Sequence, residues 1–175
     1  MTTVVLLPGF NGRADQPVLV NLEARLGRFT CLRLAPPRLK LTPGLEAYVT
    51  WLEGELRGVR GRVVLVGRSF GGRLAVRLAS RRKLAAIVLL GFPVRPPGKP
   101  RPLDEAALAA LTCPTLIVQG TKDALGPLQV LAPVVKANAH LEVQRVEGAG
   151  HSFGRQERAA LDGVAAWLDR TIGHG

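Results

Sequence analysis

The chain has 175 residues and a formal net charge of +11, with 47% hydrophobic and 21% charged residues. This length fits one domain with a sizeable core, and the composition is that of a globular protein, which argues against disorder, repeats and fibrous structure. Every apolar run is interrupted well before the roughly 18 residues that a membrane span needs, so no transmembrane helix is predicted.

Short apolar runs alternate with longer amphipathic segments, and glycine or proline marks most of the joins. In chain order, the six predicted strands are TTVVLLPG, FTCLRLAPP, RVVLVG, LAAIVLLGF, PTLIVQG and LEVQRVEG. Each is followed by a predicted helix, and these helices are QPVLVNLEARLG, PGLEAYVTWLEGELRG, Phe70 to Ser80, Leu103 to Leu111, Leu128 to Val135 and QERAALDGVAAWLDRT. Helical spacing in the second helix indicates that Tyr48 and Trp51 are packing residues. Regular alternation with nearly all-apolar strands predicts a single α/β domain, residues 1–175, whose parallel sheet is covered by helices on both faces.

The positive charge raises the question of a nucleic-acid or membrane-surface partner. Arginine is scattered over nearly every predicted helix and turn, only 5% of the residues are aromatic, and no segment interleaves aromatic with basic residues. We therefore do not favour a nucleic-acid or membrane partner, and we keep binding to either as a third hypothesis. Because the chain passes from Met1 directly into an apolar strand, without the features of a secretory signal, we expect a cytoplasmic protein. Cys31 and Cys113 are too few for a disulfide framework and fit as small buried thiols.

Three polar side chains follow strands of the predicted sheet. Ser69 lies in Gly67-Arg68-Ser69-Phe70-Gly71 after the third strand, Asp123 follows the fifth strand and His151 follows the sixth. In a parallel sheet the carboxyl ends of the strands meet at one edge, where ligands bind. A serine hydroxyl becomes a good nucleophile when an imidazole takes its proton and a carboxylate orients that imidazole. Each match alone is weak, because such a serine is often only a small polar residue in a glycine-rich turn, but together they predict Ser69 as nucleophile, His151 as base and Asp123 as acid.

The glycines beside Ser69 have a steric reason. A strand that turns directly into a helix holds the serine in a strained backbone conformation, and side chains two residues to either side would collide. The same turn directs the Phe70 amide toward a substrate, and we expect the amide of Phe10, after the first strand, to complete an oxyanion hole.

The other histidines and aspartates do not compete for these roles. His140 precedes the last strand and His174 lies in the tail, so both are expected to be solvated. Asp104 is placed to cap the short helix, while Asp162 and Asp169 fall within the terminal helix. The sequence contains no metal-ligand spacing, no phosphate-binding loop and no dinucleotide fingerprint, so we predict no cofactor.

With these three residues in place, the chain resembles the α/β-hydrolase superfamily. More narrowly, it is similar to a small dienelactone-hydrolase-like group that includes bacterial hydrolases, a mammalian testis-expressed protein and a domain of a non-specific-lethal chromatin complex subunit. The segments that carry the likeness are VGRSFGGR, LLGFPVRPPGKP, CPTLIVQGTKDALG and VEGAGHSF. The resemblance implies six strands in the order 2-1-3-4-5-6 and the same three roles for Ser69, Asp123 and His151.

Larger relatives insert a helical lid after the fourth strand, whereas here only Pro93 to Pro102 intervenes before the short helix. We therefore expect an open, shallow site without a lid domain, suited to small or protruding esters. This loop carries Arg95, Lys99 and Arg101, which we interpret first as solvated charges of a proline-stiffened connection. An anionic substrate is the alternative.

The favoured hypothesis is a serine hydrolase that cleaves a small carboxylic ester or thioester through an acyl-enzyme. The alternative is an α/β-hydrolase-like interaction module that keeps the three residues but is catalytically idle. The sequence predicts neither the natural substrate nor the oligomeric state.

Overall fold

The sheet and its helices follow the predicted alternation. The computed structural model describes residues 1–38 and 44–173. Its six strands are β1 (Thr2–Leu7), β2 (Thr30–Arg33), β3 (Arg62–Arg68), β4 (Ala86–Leu90), β5 (Thr115–Gly120) and β6 (Leu141–Val146). Its helices are α1 (Pro17–Glu23), α2 (Leu45–Glu55), α3 (Phe70–Leu78), α4 (Pro102–Ala109), α5 (Leu128–Ala137) and α6 (Glu157–Ile172), with a single 3₁₀ turn at Gly154–Gln156.

All strand pairs are parallel, and the strand order is β2-β1-β3-β4-β5-β6. The order that the resemblance implied is therefore confirmed. This order brings the ends of β3, β5 and β6, after which Ser69, Asp123 and His151 lie, to one edge of a single sheet.

Successive residues of a strand point to opposite faces of the sheet. Because both faces present apolar side chains, helices cover both. Val4 and Leu6 of β1 pack in one core with α1 and α6, while Val5 and Leu7 pack in a second core with α2 and α3. Every one of these four side chains is fully buried. Strands that are apolar on both faces are what a parallel sheet between two helical layers requires.

Most differences from the sequence prediction lie at the ends of elements. The first helix was expected over residues 16–27 but ends at Glu23, although Leu26 stays buried in the turn that follows. The second strand was expected over residues 29–37 but pairs only from Thr30 to Arg33. The Leu34 N–H still donates to the Leu6 carbonyl, and Pro36 and Pro37 have no N–H that could extend the ladder further. The predicted start of the second helix at Pro43 lies outside the described residues.

Residues 91–101 join β4 to α4 and contain no helix. Gly91 ends β4 with a φ of 65°, in the left-handed region that favours glycine. No lid domain therefore separates the sheet edge from solvent on this side. Within residues 1–38 and 44–173, no helix combines the length and apolar character needed to cross a bilayer.

Candidate active site

Ser69 lies at the junction where β3 turns directly into α3. Its backbone has φ 49° and ψ −106°, outside the regions that residues with a Cβ normally adopt. Its N–H donates to the Leu90 carbonyl of the neighbouring strand at 3.0 Å. The junction therefore holds Ser69 in a strained and well-defined position at the sheet edge, as the sequence predicts for a nucleophile.

The glycines on either side are needed for close backbone approach. A Cβ on Gly71 would lie 2.6 Å from the carbonyl oxygen of Leu7, and a Cβ on Gly67 would collide with the backbone of Gly71 and Gly72. The Gly71 N–H donates to the Pro8 carbonyl at 3.1 Å, which holds the loop after β1 against the start of α3. The glycine pattern thus packs three segments of backbone around the serine.

The structure brings Ser69, His151 and Asp123 together. His151 Nε2 is 2.9 Å from Ser69 Oγ, and His151 Nδ1 is 2.9 Å from Asp123 Oδ2. Because an ionised carboxylate can only accept, the Nδ1–H donates to Asp123 and Nε2 is free to accept from the serine hydroxyl. The side chain of Asp123 is fully buried and that of His151 is one-quarter exposed. The arrangement is therefore suited to moving a proton from Ser69 to His151.

Gln119, at the end of β5, holds the Asp123 carboxylate in place, and the sequence analysis did not identify it. Its Nε2 donates to Asp123 Oδ2 at 2.9 Å, while the Leu125 N–H donates to Oδ1 at 2.9 Å. Gln119 is fully buried and also bonds the backbone of Phe92 and Gly126. The sequence signal that could have revealed it is a side-chain amide four residues before the acid, in a strand whose only other polar side chain is that of Thr115.

Arg68 also reaches the site. Its Nη1 donates to the Leu90 carbonyl at 3.1 Å and lies 3.3 Å from His151 Nε2. Burial lowers the pKa of Arg68, while the negative charges of Asp123 and Glu157 raise it. His151 Nε2 therefore faces two donors, the Ser69 hydroxyl and the Arg68 guanidinium.

Phe70 directly follows Ser69 at the start of α3, and Phe10 lies in the loop after β1 and lines the same cleft. Among the hydrogen bonds of the described residues, the backbone amide of neither residue donates to a protein acceptor. Their rings pack edge to face with centroids 5.5 Å apart. Both amides thus remain unpaired, as an oxyanion hole requires; their role stays a prediction.

A cleft of about 880 Å³ opens over Ser69. Its walls come from the loop after β1, from α2 and α3, and from the loop between β4 and α4. The ring of Tyr48 packs against that of Phe70 with centroids 5.3 Å apart, in agreement with its predicted packing role. Tyr48 also lines the cleft. A smaller cavity of about 320 Å³ adjoins the cleft and shares Phe10, Asn11 and Tyr48 with it.

The expectation that Asp104 caps the short helix is wrong. Arg101 occupies the cap position of α4, and no side chain caps the helix. Asp104 is instead buried in the first turn, where its carboxylate accepts from Arg73 at 2.5 Å and lies 3.5 Å from Arg77. An ionised carboxylate is costly to bury without a partner, and the guanidiniums of Arg73 and Arg77 on α3 offset that cost. This ion pair therefore links α4 to α3.

The remaining candidates lie away from the cleft. His140 is exposed before β6, and His174 lies outside the described residues. Asp162 and Asp169 pair with Arg25 and Arg28 on the surface. Cys31 and Cys113 are half-buried free thiols whose pKa burial raises. In the part of the chain that the structure describes, no three His, Cys, Asp or Glu side chains are grouped as metal ligands would be.

A family model described as an alpha/beta hydrolase domain matches residues 31–169. The chain belongs to the alpha/beta hydrolases. This match covers all three segments that carry Ser69, Asp123 and His151. No curated protein matches the chain with a significant score.

Several solved alpha/beta hydrolase structures are similar to this chain. One is a protein from Xanthomonas campestris pv. campestris described as a hydrolase of the alpha/beta superfamily, with 23% identity, a TM-score of 0.77, and coverage of 96% of this chain and 98% of that one. An alpha-beta serine hydrolase homologue from Coxiella burnetii has 22% identity, a TM-score of 0.77, and coverage of 98% and 84%. A thermophilic esterase from Thermogutta terrifontis, with malate bound, has 20% identity, a TM-score of 0.75, and coverage of 98% and 90%. At these identities the likeness shows the fold, and the narrower group suggested by the sequence stays a prediction.

Proposed function

We propose that this alpha/beta hydrolase is a serine hydrolase that cleaves small carboxylic esters or thioesters through an acyl-enzyme. The observation that carries the proposal is the pair of 2.9 Å contacts that links Ser69, His151 and Asp123 beneath an open cleft. The serine hydrolase and esterase among the similar structures favour the same chemistry.

Each step uses a group at the site. His151 Nε2 takes the hydroxyl proton as Ser69 Oγ attacks the ester carbonyl, and Asp123 stabilises the imidazolium that forms. The oxygen of the tetrahedral intermediate accepts from the amides of Phe70 and Phe10. His151 then gives the proton to the leaving alcohol or thiol. Water, deprotonated by the same imidazole, hydrolyses the acyl-enzyme and restores Ser69.

The connection between β4 and α4 argues for a short or protruding acyl group. Residues 91–101 form a loop where larger relatives have a lid, so a long apolar chain would remain largely in water. We therefore expect activity on 4-nitrophenyl esters to decline as the acyl chain lengthens. The cytoplasmic location and the lack of a nucleic-acid or membrane partner remain part of the proposal.

The test is covalent labelling with a fluorophosphonate probe. Wild type should be labelled and Ser69→Ala should not, and the same variant is the blank for the ester series. Ser80→Ala is the matched control because Ser80 is exposed at the end of α3 and bonds only the Arg77 carbonyl. Equal labelling of wild type and Ser69→Ala would contradict the proposal.

The position of Arg68 favours a second candidate, the catalytically idle interaction module. Its guanidinium competes with the Ser69 hydroxyl for the lone pair of His151 Nε2. If this contact silences the site, wild type resists the probe and turns over no ester, and Arg68→Gln gains labelling. If the serine hydrolase is the correct assignment, wild type is labelled without that substitution.

A further inference from the structure

The cleft over Ser69 is lined by positive charge on several sides. Four of its lining side chains are cationic, and no carboxylate of the described residues lines it: the cations are Arg38, Arg73, Lys99 and Arg101. They come from the segment after β2, from α3 and from the loop before α4. The same cleft is otherwise lined mainly by apolar and aromatic side chains.

Nearby carboxylates leave most of this charge uncompensated. Asp104 accepts from Arg73 Nε, and Arg77, which lies beside Asp104, also pairs with Glu46, so the charge of Arg73 is compensated. Among the described residues, the other three cations of the cleft form no ion pair. Arg101 donates to the Pro93 carbonyl at 2.9 Å instead of to a carboxylate. Arg95, the third cation of the loop, donates two hydrogen bonds to the Glu105 carboxylate and does not line the cleft.

The charge of Arg73 also acts on Arg101. Burial lowers the pKa of Arg101, the charge of Arg73 lowers it further, and Asp104 raises it. Asp104 already pairs with Arg73, whereas Arg101 bonds only a carbonyl oxygen and lines the cleft together with Lys99, so these two cations are available to an anion in the cleft. Guanidinium groups bind carboxylate and phosphate oxygens with paired N–H donors.

We propose that the substrate of this site is an ester with an anionic group, which Arg101, Lys99 and Arg73 hold while Ser69 attacks the carbonyl. Arg73 follows Ser69 by one helical turn, which is about 6 Å along α3. Ser69 and the three cations line the same cleft, and the half-ester of a short dicarboxylic acid is a simple compound that carries both an anionic group and a scissile carbonyl. This inference rests on the proposed function and adds the charge of the substrate to it.

The experiment compares two esters that differ only in charge, the 4-nitrophenyl monoester of adipic acid and the same compound with its free carboxylate capped as a methyl ester. Wild type should favour the anionic ester by roughly tenfold in kcat/KM, because charge-assisted hydrogen bonds are stronger than neutral ones. The preference should shrink as salt concentration rises. In the double variant Lys99→Gln/Arg101→Gln the ratio of kcat/KM for the anionic ester to that for the capped ester should fall to about twofold or less.

Arg95→Gln is the matched control, since it removes one positive charge from the same loop outside the cleft and should keep the full preference. Equal cleavage of both esters by wild type, or equal losses in the double variant and the control, would overturn the inference and leave the serine hydrolase assignment intact. Fluorophosphonate labelling of Ser69 without turnover of either ester would overturn it as well. No labelling and no turnover would instead contradict the proposed function, and the inference with it.

Discussion

At the scale of single residues, the most informative feature is the backbone of Ser69. A residue with a Cβ at φ 49° and ψ −106° stores about 1–3 kcal/mol of strain, which the surrounding fold must offset. The Gly71 N–H bond to Pro8 and the Ser69 N–H bond to Leu90 hold the turn in this shape. The strain fixes the hydroxyl at the point where His151 can accept its proton.

Replacing the side chain in two ways separates the strain from the chemistry. Ser69→Ala and Ser69→Gly should both abolish labelling and ester cleavage. The glycine variant should be more stable than the alanine variant by about 1 kcal/mol, because only glycine adopts this backbone without a steric penalty. Urea unfolding of the two proteins measures the difference. Greater stability of Ser69→Ala would mean that the turn is not strained.

Gln119 illustrates a different residue-scale effect, since it acts on Asp123 without facing the cleft. Its amide satisfies one oxygen of the buried carboxylate and bonds the backbone of Phe92 and Gly126. Because buried polar groups without partners are costly, this side chain both stabilises the loop after β5 and orients the acid.

Gln119→Leu should lower the free energy of unfolding by about 2–4 kcal/mol, since several buried polar groups lose their partner. In the protein that remains folded, kcat should fall while KM is unchanged, because Asp123 is less well oriented and the cleft is untouched. Urea unfolding and steady-state kinetics below the unfolding transition measure the two effects. Gln119→Glu keeps the shape but exchanges the N–H donor beside Asp123 for a second carboxylate oxygen, so it tests the loss of the donor together with an added negative charge. A stability loss with wild-type kcat would leave Gln119 a purely structural residue.

At the scale of elements, the site depends on how closely β1, β3 and α3 approach one another. Gly71 lies in the first turn of α3, against the backbone of Leu7 and Pro8, so the contact has no flexible side chain that could move aside. A Cβ on the next residue, Gly72, would lie 3.2 Å from the end of the Leu89 side chain, which can shift, and 3.3 Å from the Gly67 carbonyl oxygen, both milder contacts than those at Gly71. Two adjacent glycines of one helix therefore have different tolerances.

Gly71→Ala should destabilise the protein by about 3 kcal/mol and suppress labelling of Ser69, because the β1 loop and α3 are forced apart. Gly72→Ala should stay within about 1 kcal/mol of wild type and keep labelling, since a small side-chain shift and better helix propensity offset each other. Thermal melts and probe labelling compare the pair. Equal effects of the two substitutions would mean that the Leu7 contact does not control the turn.

The helices and strands themselves were predictable because each depends on the order of apolar and polar residues within its own segment. The apolar runs and the periodic spacing of Val18, Leu19 and Leu22 located the strands and α1, and the glycine pattern located the turn at Ser69. Element ends were less predictable, since tertiary packing decides them. The buried position of Asp104 could not be deduced from local pattern, because its partners, Arg73 and Arg77, lie on another helix.

At the scale of the whole molecule, the surplus of 24 Lys and Arg over 13 Asp and Glu says nothing about where the charge lies. From the sequence, the loop cations were expected first to be solvated, with an anionic substrate as the alternative. In the folded chain Arg95 fits the first expectation by pairing with Glu105, whereas Lys99 and Arg101 line the cleft with Arg73 and Arg38. The distribution depends on loop geometry and on helix packing, which a count of charges does not contain.

The strand order has a consequence for how the protein folds. His151 follows β6, an outer strand, and is 82 residues from Ser69, so their contact closes only after β5 and β6 pair in register. Parallel pairings between distant segments form late because loop-closure entropy opposes them. During refolding, reactivity of Ser69 toward the probe should therefore appear after the far-ultraviolet circular dichroism signal. The reactivity of one hydroxyl then reports when the sheet from β3 to β6 is complete.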